Sequence, residues 1–342
     1  MLAPELSPQE LLRATSRSFY LTLRVLPGAI RPQIALAYLL ARTADTIADT
    51  EIVPLEQRLD ALQKLRERIP AQYAAPLNFG DLAARQGSPP EKLLLENVGS
   101  SLSAMQHFLE EDRKLIARVL TIITSGQELD LRRFTGSSAV KIIALETAFE
   151  LDDYTFRVAG CVGEFWTRLC RAHLFPQARL EDSGLIADGI RFGKGLQLVN
   201  ILRDLPADLK KGRCYLPAEK LEQFNLSPLT LLSPANEKKF LPLFQEYLDV
   251  AESHLRAGWR YTNTLPFGQY RLRLACAWPL LIGIRTIQKL RAASVLELRQ
   301  SVKIPRHDVR LIILCSILAC PIPVLWRNLF PGKSVASSHN LA

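Results

Sequence analysis

Two segments of this chain, about 150 residues apart, read as helices whose polarity is inverted. In YLLARTADTIADT (Tyr38 to Thr50), the residues Tyr38, Arg42, Asp45 and Asp49 fall within about 60° of one another on a helical wheel. Leu39, Leu40, Ala41, Ala44, Ile47 and Ala48 fill most of the remaining surface. In LQLVNILRDLPADLKKGRCYLP (Leu196 to Pro217), Gln197, Asn200, Asp204 and Asp208 fall within about 80° among Leu196, Leu198, Val199, Ile201 and Leu202. An ordinary surface helix has a wide polar face and a narrower apolar one. Here the proportions are reversed, so each polar stripe is expected to face a cavity and not bulk water.

The rest of the sequence agrees with a helical fold. It is a series of Leu- and Ala-rich segments of helical period, broken at FTGSS (Phe134 to Ser138), LPFGQY (Leu265 to Tyr270) and KIPRHD (Lys303 to Asp308). No sustained two-residue alternation argues for a sheet. The longest interruption, Ile69 to Pro90, reads as a surface connection. The expectation is one all-α domain of about ten helices over residues 1–342, with its core at about 10–310 and an apolar helix and tail over 311–342. The 48% hydrophobic and 23% charged content is that of a packed protein and excludes a disordered chain.

Other classes are narrowed in the same way. Six cysteines show no CxxC spacing and read as reduced core residues, and five scattered histidines offer no metal-hydrolase cluster. The first residues lack a basic head followed by an apolar core, which predicts a cytoplasmic protein. LIILCSILACPIPVLW (Leu311 to Trp326) has 16 residues, with Pro321 and Pro323 inside it, and is short for a spanning helix. It reads as a buried terminal helix or a monotopic membrane contact. The net charge of +9 is concentrated, since residues 251–342 hold 13 Lys or Arg against three acids. That third suits peripheral contact with the inner face of an anionic membrane, or is simply solvated. Inward carboxylate stripes argue against nucleic acid, because they would repel a polyphosphate.

Aspartates at i and i+4 repel one another along a helix face. Two such pairs facing across a cavity need cations for compensation. Oxygen-only ligands select hard ions, and Mg²⁺ takes one or two carboxylates while keeping waters and substrate phosphates. The pattern predicts Mg²⁺ bridging Asp45, Asp49, Asp204 and Asp208 to a phosphate-bearing substrate. Arg17 and Arg42 near the first stripe, and Arg203, Lys210, Lys211 and Arg213 beside the second, suit this chemistry. No GxxxxGK[ST] loop is present, so P-loop nucleotide hydrolysis is not indicated. Pro206, between Asp204 and Asp208, predicts a bend or an end of the helix.

From about Thr15 to Arg310 the chain resembles the squalene and phytoene synthases, head-to-head prenyl transferases with the all-α isoprenoid synthase fold. SRSFY (Ser16 to Tyr20) is similar to that family's N-terminal substrate motif, and the two aspartate segments are similar to its two Asp-rich motifs. DDYTFRVAGCVGEFW (Asp152 to Trp166) resembles its central tyrosine helix, and VKIPR (Val302 to Arg306) the mobile basic segment of the squalene enzymes. The resemblance implies helices around a central apolar cavity, with the four aspartates holding Mg²⁺ on two prenyl diphosphates. Ser16, Arg17, Arg42, Arg203 and Arg213 would grip phosphate oxygens, and Gln197, Asn200 and Tyr38 would line the pocket. Tyr154 would assist proton transfer in the first half-reaction. Phe19 and Trp166 would either shield a carbocation or belong to the core. Lys303 and Arg306 would help bind NADPH.

The first motif reads Asp-Thr, not Asp-Asp or Asp-Glu, which looks more like squalene than phytoene enzymes. The implied reaction is condensation of two farnesyl diphosphates through presqualene diphosphate, followed by reduction with NADPH to squalene. A phytoene synthase, or a producer of presqualene diphosphate or dehydrosqualene without the reductive step, is the alternative.

Overall fold

Local chemistry sets the helix boundaries. The computed structural model describes residues 8–15, 19–70, 77–297 and 302–331. The first half contains α1 (Pro8–Thr15), α2 (Phe19–Val25), α3 (Arg31–Asp49), α4 (Leu55–Arg68), α5 (Gly80–Arg85), α6 (Pro89–Glu96), α7 (Val98–Ala104) and α8 (Glu110–Arg133). Then follow α9 (Ala148–Thr155), α10 (Cys161–His173), α11 (Asp182–Lys210) and α12 (Ala218–Glu222). The chain ends in α13 (Glu237–Thr264), α14 (Tyr270–Arg291), α15 (Arg306–Ala319) and α16 (Pro323–Arg327). The fold is all-α, as the periodicity requires. The count exceeds ten because pieces of one or two turns, such as α5, α7, α12 and α16, are too short to show a period. Accordingly, Ile69–Pro90 is not one loop: α5 lies within it and buries Leu82 and Ala83.

Proline lies in the first turn of α3, where its missing N–H has no intrahelical partner to lose. Thr147 caps α9 by accepting the Glu150 N–H at 3.3 Å, and Glu181 caps α11 by accepting the Ser183 N–H at 2.8 Å. Helix α11 runs through Pro206 to Lys210, so of the bend or end expected there the end does not occur. Leu205, Pro206 and Leu209 are all buried there, and that packing offsets the hydrogen bond that Pro206 cannot make.

Two apolar clusters form the core, one around α3, α4, α8 and α10 and the other around α11, α13 and α14. Leu39, Leu40 and Ile47 of α3 are fully buried. Each such side chain contributes about 1.5–3 kcal/mol. Helices α10 and α11 meet backbone to backbone, since a Cβ on Gly163 would overlap the Gly189 carbonyl oxygen. This close approach fixes the α9–α10 segment against α11. Between α9 and α10, Phe156–Gly160 forms one π-helical turn directly after Tyr154, a feature often found at functional sites.

Contrary to the expectation of no sheet, two short parallel strands pair: β1 (Ile143–Leu145) and β2 (Arg213–Pro217), with Ile143 opposite Arg213. Strands of three and five residues are too short for alternation to register. Gly212 turns the chain from α11 into β2 at φ 81°, where a Cβ would strike the Ser138 backbone.

The apolar run Leu311–Trp326 is split between α15 and α16, and no helix among the described residues is long and apolar enough to cross a membrane. The inner face of α15 is anchored where the Trp278 indole N–H donates to the Ser316 hydroxyl at 2.9 Å. Trp326 of α16 is fully buried, stacks on Trp259 at 5.4 Å and lies under the Arg273 guanidinium at 4.8 Å. On the outward face, Leu311, Leu314, Ile317 and Leu318 are exposed. All six cysteines are free; five are buried, but Cys315 is exposed on α15, unlike the core position expected for it.

Candidate active site

The first stripe points from α3 toward α8. Arg42 lies 3.8 Å from the Asp45 carboxylate and donates to Glu91 at 2.6 Å. Gln127 of α8 donates to the other Asp45 oxygen. Asp49 lines a cleft, Asp45 lies one turn before it on α3, and the surrounding protein removes much of the water that would solvate them. This burial, with the neighbouring Asp49 charge, pushes the Asp45 carboxyl up to about 7 against the pull of Arg42. Asp49 is also raised by burial, opposed by Arg42, Arg213 and Lys211. Tyr38 is half-buried against the core, and burial raises its phenol.

The second stripe lies on α11. Asn200 donates to Gln197 at 3.4 Å, so the two amides form one unit. Arg203, expected on phosphate, instead holds Asp204, with Nε donating to Oδ1 at 3.0 Å. Its long stem lets it reach round from its off-stripe position to the adjacent carboxylate. Burial, then the Asp204 charge, pushes the Asp208 carboxyl up to about 6, while Lys211 and Arg213 pull it back.

Lys211 and Arg213 thus act on Asp49 from the first stripe and Asp208 from the second, and bring the two motifs into one electrostatic site. Gly212 and β2 hold Arg213 there, 3.3 Å from Glu51 and with its guanidinium 5.9 Å from the Phe134 ring centre. The cleft has a volume of about 270 Å³ and is lined by Asp49, Glu51, Arg58, Gln127, Asp130, Lys211 and Arg213. Sites for drug-sized ligands run to roughly 300–1,000 Å³. The size and mixed charge of this cleft suit an anionic head group with counter-ions, and the leucines of α3 and α11 lie in the core behind it. Among the described residues no three His, Cys, Asp or Glu side chains converge on one metal position. Burial, and then the neighbouring aspartate, raises the proton affinity of Asp45 and Asp208, and carboxylates in such pairs are donors that suit a hard cation completing its coordination with phosphate oxygens.

Tyr154, in the last turn of α9, is buried and stacks on Tyr215 of β2 with ring centres 4.7 Å apart. The Tyr215 hydroxyl lies 2.9 Å from Asp130 Oδ2 of α8 and donates to it. Burial pushes the Tyr154 phenol far above its ordinary range, and the nearby Asp130 charge adds to the effect. Asp130 is itself pushed up to about 6 by burial, against the Tyr215 hydrogen bond and the charges of Arg213 and Arg133.

The sequence reading did not single out Gln127, Asp130, Glu91 or Tyr215. Gln127 and Asp130 lie three residues apart on one face of α8, but that helix is polar over much of its surface and hides them. Tyr215 lies two residues after Arg213 on a strand too short to be recognised. Ser16 and Arg17 lie outside the described residues, as does the side chain of Phe19. Trp166 packs against the first core cluster. Lys303 and Arg306 are exposed and do not line the cleft.

A helical fold that brings two aspartate pairs into the field of the same basic groups, with a buried tyrosine nearby, has the makings of a site for an anionic ligand. The family model for squalene/phytoene synthase matches residues 12–308, and the chain belongs to that family, whose relatives are prenyltransferases. The bifunctional lycopene cyclase/phytoene synthase of Gibberella fujikuroi is 32% identical over 247 residues, 70% of this chain and 40% of that protein. The chain therefore spans about two fifths of the bifunctional relatives it matches. Squalene synthase of Schizosaccharomyces pombe is 27% identical over 322 residues, 90% of this chain and 66% of that protein. The fold is similar to that of TcSQS in a ligand complex, at a TM-score of 0.76 and 21% identity, over 93% of this chain and 88% of that one.

Proposed function

We propose that this chain condenses two farnesyl diphosphates head to head into presqualene diphosphate and reduces that product with NADPH to squalene. The observation that supports the condensation is that Lys211 and Arg213 act on Asp49 of the first stripe and Asp208 of the second, beside a charged cleft that Asp49, Lys211 and Arg213 line. Asp45, Asp49, Asp204 and Asp208 would hold Mg²⁺, which when bound supplies positive charge to a departing diphosphate. Arg42, Lys211 and Arg213 would take up charge as the allylic C–O bond breaks. The double bond of the second substrate would then capture the cation, with the buried apolar walls keeping water away. The reductive step rests on the likeness of VKIPR to the squalene enzymes. The exposed Lys303 and Arg306 lie apart from the cleft residues and do not by themselves form a nucleotide site, so no step is derived through NADPH. Likeness to a phytoene synthase at 32% identity favours geranylgeranyl diphosphate as the second reading.

Product analysis with purified protein, Mg²⁺ and farnesyl diphosphate, with and without NADPH, separates these readings. Squalene that forms only with NADPH supports the full proposal. Presqualene diphosphate or dehydrosqualene regardless of NADPH removes the reductive step, and phytoene from geranylgeranyl diphosphate alone favours the second reading. No product from either diphosphate with folded protein overturns both. The same reading includes a peripheral contact with an anionic bilayer through the outward apolar face of α15 and α16, flanked by Arg310 and Arg327.

A further inference from the structure

Tyr154 poses a chemical problem as a base. It is buried, its phenol is held far above its ordinary range, and a phenolate there would face the charges of Asp130, Asp208 and Asp45. A neutral phenol takes a proton only if it can hand its own onward. The structure supplies an acceptor in line. Tyr154 is stacked on Tyr215 with ring centres 4.7 Å apart, and the Tyr215 hydroxyl donates to Asp130 Oδ2 at 2.9 Å. Among the described residues Asp130 Oδ1 is buried without a hydrogen-bond partner, so its carboxylate is under-solvated and has a reason to become neutral. Tyr215 is also held edge-on by Phe134, with ring centres 5.2 Å apart, which fixes the plane of the phenol between the other two groups.

We infer that Tyr154, Tyr215 and Asp130 form a proton relay in which Asp130 is the final acceptor for the proton lost during ring closure. This rests on the head-to-head condensation proposed above. In the closing step a C–H bond of the coupled carbocation breaks, and its electron pair forms the third cyclopropane bond. The released proton goes to the Tyr154 oxygen as the Tyr154 hydroxyl proton passes to the Tyr215 oxygen. The Tyr215 proton passes in turn to Asp130 Oδ2. The positive charge of the carbocation and the negative charge of the carboxylate disappear together. Neither tyrosine carries a net charge before or after the step. Tyr154 touches substrate in this scheme, whereas Tyr215 and Asp130 act through it.

The test uses Tyr215→Phe and Asp130→Asn in the full chain, with melting temperature as the fold control. It measures both diphosphate release and cyclopropane product from the prenyl diphosphate that the wild type accepts. A positioned proton acceptor contributes typically 10²- to 10⁴-fold. Each variant is therefore expected to form cyclopropane product about a hundredfold more slowly. A growing share of the released diphosphate should be matched by prenyl alcohol, because the unclosed cation is trapped by water. The solvent deuterium isotope effect on product formation should fall with it. A structural role alone would lower release and closure together, and an unchanged ratio in a well-folded Tyr215→Phe protein overturns the relay. If the wild-type protein releases no diphosphate from either substrate, the condensation itself fails, and that outcome is separate from the variants.

Discussion

Replacing Asp45 with Asn tests whether the site is built at the expense of stability. The Asp45 carboxyl is raised from 3.8 to about 7, chiefly by burial and then by the Asp49 charge. In the unfolded chain the group ionises near its ordinary value, so folding makes ionisation harder. Below about pH 4 both states are protonated and the group contributes nothing. Between about 4 and 7 the unfolded state loses its proton first, and stability falls with rising pH. Above 7 the full penalty is present. A shift of three units corresponds to at most about 4 kcal/mol. The Asp45 side chain is 36% exposed and has Arg42 at 3.8 Å, so solvent screening reduces this to about 1–2 kcal/mol. For a chain of this length that is about 2 °C in melting temperature. In metal-free buffer Asp45→Asn should therefore melt about 2 °C above wild type at pH 8 and equal to it at pH 4, while turnover is abolished. Addition of Mg²⁺ with a non-hydrolysable diphosphate should raise the melting temperature of the wild type and leave the variant nearly unchanged. A variant that is no more stable at pH 8, or that gains equally at pH 4, would refute the argument that uncompensated carboxylate charge strains this site.

Three further outcomes follow from the packing. Gly212→Ala places a Cβ at φ 81° against the Ser138 backbone, and should cost about 2–4 kcal/mol; thermal melts should show a loss of several degrees, together with lower activity as Arg213 moves. Leu40→Ala in the fully buried face of α3 should cost about 2–5 kcal/mol by denaturant titration, and a loss under 1 kcal/mol would argue against the packing described for that helix. Paired Leu314→Glu and Leu318→Glu substitutions on the exposed face of α15 should reduce binding to vesicles of anionic phosphatidylglycerol at least tenfold and leave activity on soluble substrate unchanged. Equal sedimentation of wild type and variant with those vesicles would exclude this face as the contact.

The aspartate stripes were legible because the chemistry ran against the local rule. Like charges at i and i+4 weaken a helix, and an apolar surround removes the excuse of solvation, so Asp45, Asp49, Asp204 and Asp208 stood out. Tyr154 carried no such signal, because a tyrosine on an apolar helix is ordinarily a core residue, and only the resemblance to a family singled it out. Asp130 and Gln127 were hidden for the opposite reason: α8 is rich in charged residues, so two more polar side chains at its inner face did not break a pattern. The sheet escaped because Ile143–Leu145 gains meaning only when Arg213–Pro217 lies beside it, a contact between residues 70 positions apart. At Pro206 a bend or an end was expected, and the end does not occur, because Leu205 and Leu209 bury the turn around it.

These misses share a cause that bears on the chemistry. The parts legible in sequence are those that bind charge, because binding charge requires groups that each violate a local preference. The parts that were not legible, Tyr215 and Asp130 above all, are locally ordinary and become unusual only through burial beside Tyr154. Proton transfer needs such partners at hydrogen-bond distance, and in this fold they come from three elements distant in sequence: α8, α9 and β2. Gly212 ties two parts of the proposed site together, since the same turn that sends Arg213 into the charged cleft places Tyr215 against Tyr154 two residues later. Disturbing that turn should therefore impair leaving-group departure and ring closure together, whereas Tyr215→Phe, which keeps the turn and the ring, should impair closure alone.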